Sequence, residues 1–256
     1  MAAQGGFWAE IRKIPPVTRF LCASSLAVSL PVMAQLVSPW KVVYVQQLVT
    51  KKWEIWRLWS SFFLGSSGIN YIFDFVMLYR TSDGIESANY ASRSADYAWH
   101  LLLSAISIIA LNTPLHSYTH TRPLLLCLTY LASRLAPPGA QTSLMGLITV
   151  PYAYWPYIMI GMDFAMGGPA AAASAVSGAI VGHMWWYGLF ETRVLEGIVG
   201  RAPGWLRSLV GDGSAPNAGP AGPAGGVHVI PPRQVRQATA GTGGHNWGTG
   251  HRLGTD

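Results

Sequence analysis

Cysteine and charge are both scarce in this 256-residue chain, which has 2 cysteines and only 11% charged residues. Cys22 and Cys127 fall in separate apolar stretches, which excludes a disulfide framework and a cysteine-based metal site. A soluble domain carries about 25% charged residues, so water cannot surround most of this surface. No dense Lys/Arg run with interleaved aromatics exists, which removes nucleic acid as a partner. No motif calls for a metal or another cofactor.

What is abundant is apolar sequence, half of all residues. Six stretches stand out, at 20–37, 58–79, 97–111, 122–136, 143–162 and 167–190. Several approach the ~20 residues that cross a bilayer as helix; the third and fourth are short. The expected fold is an all-α membrane protein with six transmembrane helices, spanning 18–192. Ahead of it, 1–17 contains FWAEIRKI, an interfacial helix stopped by Pro15-Pro16. The first stretch has no small-x-small cleavage pattern and reads as a retained signal anchor. The aromatic connection 38–59 is expected to lie in the membrane interface.

After the last span, 193–210 reads as an amphipathic juxtamembrane segment with a break near Pro203-Gly204. The remainder, 211–256, is rich in Gly, Pro, Ala and Ser, contains GPAGPAGG, and is expected to be a disordered tail. Of the 17 Lys and Arg residues, only Lys41, Lys51, Lys52, Arg57 and Arg122 fall on one side of a six-span topology. The positive-inside tendency therefore favours both termini in the cytosol, although without the residues after the last span the two sides are nearly even. The net charge of +6 reports that topology and contact with anionic headgroups.

Residues that carry chemistry are few. Gly65-Ser66-Ser67-Gly68 matches G-x-S-G, and His183 follows the Gly178-x-x-x-Gly182 pattern. Together they raise an intramembrane serine protease. The serine motif, however, falls near the start of the second span, and the fourth span, RPLLLCLTYLASRLA, holds none. On those span boundaries Ser67 lies about 12 Å deep and His183 about 22 Å, too far apart for a hydrogen bond of about 3 Å. Gly178 and Gly182, extended by Ser174, form a small-residue face for close helix packing. His183 is either a satisfied packing residue or the lining of a hydrated groove. Asp74, with Asn70 and local tyrosines as expected partners, is either a buried hydrogen-bonded group or part of a polar crevice. Trp56-Arg57 reads as an anchor of the aromatic loop, the arginine donating to phosphates or backbone carbonyls.

The sharpest signal is WGTGHRLG at 247–254. Trp247 and Leu253 suit apolar pockets, Gly248 and Gly250 let the backbone lie close to a partner, and Arg252 pairs with acids. Such a peptide at the end of a tail reads as a handle for a soluble protein.

In order along the chain, KIPPVTR, EIWRLWSSFF, MLYR, SRSADYAW, LTYLASR and VGHMWWYGLFE resemble the Derlin family, the proteolytically inactive rhomboid-like proteins of the endoplasmic reticulum. The resemblance covers about residues 10–192 and implies a six-helix rhomboid-like core without catalytic residues. It carries Trp56-Arg57 over as the rhomboid loop motif and Gly178/Gly182 as the packing face of span six. The terminal box, Trp247 to Leu253, resembles the peptide by which several proteins bind the AAA+ ATPase known as valosin-containing protein. The implied role is export of misfolded proteins from the reticulum for degradation. The implied partners are that ATPase, a Hrd-type membrane ubiquitin ligase, misfolded clients and the lipid bilayer. The passage is shared with the ligase or made by a homo-oligomer. Asp74 departs from the family pattern, where the position is usually uncharged. Two alternatives are an active rhomboid-type protease and an unrelated transporter or scaffold; paired charges and matching broken helices for a solute site are absent from the sequence. Two central spans of about 15 residues imply local thinning of a ~30 Å hydrocarbon core.

Overall fold

A computed structural model describes residues 11–66, 68–144 and 148–211. The chain enters helix α1, Pro16–Met33, directly after Pro15. Proline suits this first turn because its missing N–H has no partner there anyway. The remaining first-turn amides are capped from a distance: Val17 N and Thr18 N donate to the Glu86 carboxylate at 3.2 and 2.8 Å. The Thr18 hydroxyl adds a third bond at 2.8 Å.

The aromatic connection contains two short helices, α2, Gln46–Lys52, and α3, Trp56–Ser60. Helix α4, Ile69–Asn89, starts after Gly68, whose φ of 72° is a left-handed value that glycine adopts without strain. Its start is a correction to the second expected span, which began at Leu58. The helix instead runs on through most of the polar stretch between the second and third expected spans, and α5, Ser94–Asn112, follows after a four-residue turn at 90–93. With 19 residues, α5 is not the short span expected.

Helix α6, Thr121–Leu135, is short, at 15 residues. Every residue in 123–131 is buried. A helix apolar all round belongs at the centre of a bundle, and α6 holds that place. The chain then makes an antiparallel hairpin, β1, Gln141–Leu144, with β2, Ile148–Pro151. This corrects the expectation of a fifth span starting at 143, and it is the one departure from all-helical structure among the described residues. Helix α7, Trp155–Trp185, is two helices joined at Gly168 (φ 73°) and Pro169. The proline removes a helical hydrogen bond, and the glycine takes a conformation closed to other residues. Its last turn widens to a π-helix at Trp186–Glu191. Two short helices follow, α8, Glu196–Val199, and α9, Gly204–Val210.

Among the described residues, three segments are long and apolar enough to cross a membrane: Pro16–Met33, Ser94–Asn112 and Tyr152–Glu191. Large side chains such as Phe20, Ile72, Ile106, Phe164 and Ile180 are exposed on the outer helix faces while the core is closed. Such a belt is unfavourable in water and at home in lipid.

Candidate functional site

Side-chain contacts sort the bundle into two ends. At the first, Arg57 is 7% exposed and ties the aromatic connection to itself. Its Nη1 donates to the carbonyls of Trp40 (2.6 Å) and Val43 (3.0 Å), and its Nε pairs with Glu54. Ser60 Oγ holds the Val42 carbonyl at 2.6 Å. The arginine thus spends its donors on backbone carbonyls, while neighbouring Trp56 points outward, 60% exposed.

The same end carries an ion cluster that sequence reasoning missed. Arg122, on the first turn of α6, reaches Asp74 of α4 at 3.3 Å and Asp163 of α7 at 3.5 Å. Ser66 Oγ donates to the other Asp74 oxygen at 3.0 Å. The expected partners of Asp74, Asn70 and tyrosines, are not the ones it takes. Asp163 was visible as a charge inside an apolar run (MIGMDFAMG), the pattern that marks costly intramembrane groups. That it shares a guanidinium with Asp74 depends on the fold.

The second span was expected to begin at Leu58, whereas Ser66 lies in the connection before α4. Ser67 lies outside the described residues. His183 is at the far end, bonded through Nδ1 to Tyr130 Oη at 2.9 Å. A different serine–histidine pair is present: Ser61 Oγ and His120 Nδ1, 3.1 Å apart, both fully buried. Ser61 Oγ also donates to the Leu58 carbonyl at 3.1 Å. Its proton is directed away from the imidazole, so the histidine N–H donates to the serine and cannot act as its base. His120 sits in the connection ahead of α6, between the rings of Tyr44 and Phe62, and burial pushes its imidazole down to about 4.

The seam linking the two ends is α6 against α7. A Cβ on Gly178 would overlap the Pro123 carbonyl, and one on Gly182 would sit 2.7 Å from the Cys127 carbonyl. Both glycines are therefore required by close backbone approach. One turn further on, Tyr130 meets His183.

At the second end, hydroxyls and imidazoles stand beside the charged groups. Trp185 Nε1 donates to Tyr90 Oη (3.1 Å), which meets His100 Nδ1 (2.9 Å), and His100 Nε2 meets the Val199 carbonyl (3.0 Å). A carbonyl only accepts, so the His100 proton is on Nε2 and Tyr90 donates to Nδ1. Ser82 joins Thr18 and Tyr97, each at 2.9 Å. Asp96 accepts from Ala202 N at 2.7 Å and lies 3.9 Å from Arg207. The juxtamembrane segment is thereby docked on α5, with Leu206 buried and Trp205 and Leu209 exposed. None of Glu86, Tyr90, His100 or Asp96 was singled out from sequence, because their partners lie tens of residues away. Trp247, Gly248, Gly250, Arg252 and Leu253 lie outside the described residues.

A polytopic helical bundle with polar ties at both ends and a lipid-compatible flank defines a multi-pass membrane protein. The Der1-like family model matches residues 14–196, and the chain belongs to that family. Derlin-1.2 of Zea mays is 28% identical over 179 aligned residues, covering 69% of this chain and 72% of the relative. Derlin-1 of Arabidopsis thaliana is 28% identical over 190 residues, covering 73% and 69%. Derlin-1 of Homo sapiens is 26% identical over 264 residues, covering 97% and 98%.

Proposed function

We propose that this chain is a non-catalytic component of endoplasmic-reticulum-associated degradation that eases passage of misfolded proteins from lumen or membrane to cytosol. The observation that carries this reading is the near full-length match to human Derlin-1, with the family model covering residues 14–196. In this reading the core is rhomboid-like and crosses the bilayer six times, with the two arms of α7 as separate spans and both termini cytosolic. The Arg57 and Arg122 end then faces the lumen.

The physical basis is length. Helix α6 has 15 residues and measures about 22 Å at ~1.5 Å per residue, and the first arm of α7, residues 155–167, is about 20 Å. Neither matches a ~30 Å hydrocarbon core. Because α6 is central, its shortfall is felt as a recess inside the bundle, where Arg122, Asp74 and Asp163 gather. The short α7 arm faces lipid and favours local thinning. Both effects lower the cost of carrying an unfolded chain's backbone amides past hydrocarbon, several kcal/mol for each unsatisfied group. Directional pulling falls to a AAA+ ATPase of the valosin-containing type, recruited through Trp247, Gly248, Gly250, Arg252 and Leu253. A Hrd-type ligase acts beside it.

The test is affinity purification from gentle detergent, with and without the last ten residues, paired with decay of a misfolded lumenal client in a null strain. ATPase recovery should fall on truncation and on Trp247→Ala or Leu253→Ala, and client decay should slow in the null. Unchanged recovery rejects the handle; unchanged decay rejects the role. His183→Ala and Ser67→Ala should remove no cleavage activity.

A further inference from the structure

The Tyr90–His100 relay has a second copy at the same end of the bundle, and the second copy is unfinished. Arg134 Nε donates to Tyr130 Oη at 3.2 Å, and Tyr130 Oη meets His183 Nδ1 at 2.9 Å. With the phenol oxygen already accepting from arginine, its own proton is directed to Nδ1, which places the histidine proton on Nε2. In the first copy that Nε2–H is satisfied by the Val199 carbonyl. In the second, no described residue accepts it. Among the described residues the terminal nitrogens of Arg134 likewise have no hydrogen-bond partner, and no described carboxylate pairs with this arginine. Its guanidinium is held over two rings, Trp186 at 4.8 Å and Tyr130 at 5.5 Å. His183 in turn stacks on Tyr187, with centroids 6.0 Å apart and planes at 21°.

The result is a pre-oriented set of outward donors with no outward acceptor. Anions fit such a set, and a planar guanidinium fixed by stacking suits the bidentate geometry of phosphate. The surroundings say which phosphate. Ile180, Met184 and Tyr187 are exposed along the outer face of α7, at 48%, 59% and 51%. They make an apolar strip that passes beside the donors, with Ile180 on the side toward the middle of the bundle, a path an acyl chain would follow. The absence of a paired carboxylate leaves nothing to hold a headgroup ammonium.

We propose that Arg134, His183, Tyr130 and Trp186 form a binding site for the phosphate of an anionic glycerophospholipid in the leaflet at this end of the bundle, its acyl chain lying on Ile180 and Met184. The glycine seam of α6 and α7 builds the site, because the close approach at Gly182 is what brings Tyr130 against the adjoining His183. The site does not depend on the degradation role and holds for any activity of the chain in a membrane.

The test uses the full chain purified in detergent and titrated with phosphatidic acid, with phosphatidylcholine of matched chains, and with inorganic phosphate. Bound lipid is counted by native mass spectrometry and thermal unfolding is followed in parallel. Phosphatidic acid should be retained and should raise the unfolding temperature, whereas phosphatidylcholine should do neither. Arg134→Gln should weaken retention about tenfold, and Arg134→Lys and His183→Gln by about threefold to fivefold, as loss of a bidentate or single charge-assisted bond implies. Arg93→Gln, elsewhere at the same end, should change nothing. Should Arg134→Gln not fold, Arg134→Lys and His183→Gln decide. Equal retention of both lipids overturns the proposal, as does full retention in the Arg134 and His183 variants. Competition by millimolar inorganic phosphate with no lipid preference reduces the site to a free-anion site and also overturns it.

Discussion

The two ends of this bundle solve the same problem with different chemistry. At the Arg57 and Arg122 end, guanidinium groups capture backbone carbonyls and carboxylates across long irregular connections. At the Tyr90 end, hydroxyls, an indole and an imidazole form a closed neutral chain, and the acids Glu86 and Asp96 accept from backbone amides. The difference follows from what each end must hold. Loops of 20 or more residues carry many carbonyls with no helical partner, and a five-donor side chain satisfies several at once. Helix starts carry orphan amides instead, which a carboxylate satisfies best. The lesson is that Arg57 and Glu86 each sit where the local backbone surplus is of the opposite kind.

The seam common to both ends should give the largest effect. Gly182→Leu drives a side chain into the Cys127 carbonyl and should cost more than about 4 kcal/mol, read as loss of folded protein in detergent unfolding; Ser174→Ala, on the same face, should cost little. If Gly182→Leu is tolerated, α6 and α7 do not touch as described and the two ends are independent.

Arg57→Ala should follow. Removing a buried arginine leaves Glu54 unpaired and two carbonyls unsatisfied, a loss of about 3 kcal/mol. Hydrogen exchange should rise in residues 38–60 and stay unchanged in 196–210. Equal exchange at both ends would erase the contrast.

Acid should act on the end that holds His120. His120 is held neutral by burial, with its imidazole near 4, against the ordinary 6.5 of an unfolded chain. Its contribution is therefore complete above about pH 6.5 and is lost as the pH falls toward about 4, up to about 3 kcal/mol. Unfolding temperature should drop across that window, with exchange rising first in 113–121. His120→Phe, which fits between Tyr44 and Phe62, should flatten the slope; an undiminished slope assigns the acid response elsewhere.

The smallest effect belongs to the docked segment. Asp96→Ala removes the acceptor of the Ala202 amide and should cost about 1–2 kcal/mol. It should free 196–210 to exchange and proteolysis without moving the rest of the Tyr90 end. If α5 loosens as well, Asp96 supports the helix and not the segment alone.

Much of the helical layout was legible because lipid-scale apolar runs are long and the glycine pairs are local patterns. The start of α4, the hairpin at 141–151 and the true length of α5 were not. The partners that fix the helices are distant in sequence: Asp74 meets Arg122, and Glu86 caps the first helix from 68 residues away. The expected start of the second span at Leu58 failed for the same reason, since hydropathy locates a run of apolar residues without saying where its helix begins. Arg122 and Asp163 were each visible as isolated charges, yet nothing local announced that they share a site.

Composition alone thus settled that this chain lives in a membrane and folds as helices, because hydrocarbon solvent leaves the backbone almost no other way to satisfy itself. The close approach of α6 and α7 was also written locally, in two glycines four residues apart. Which donors meet which acceptors at each end was decided by tertiary packing. Those pairings depend on helix order and register, and a single sequence encodes them only through the whole fold.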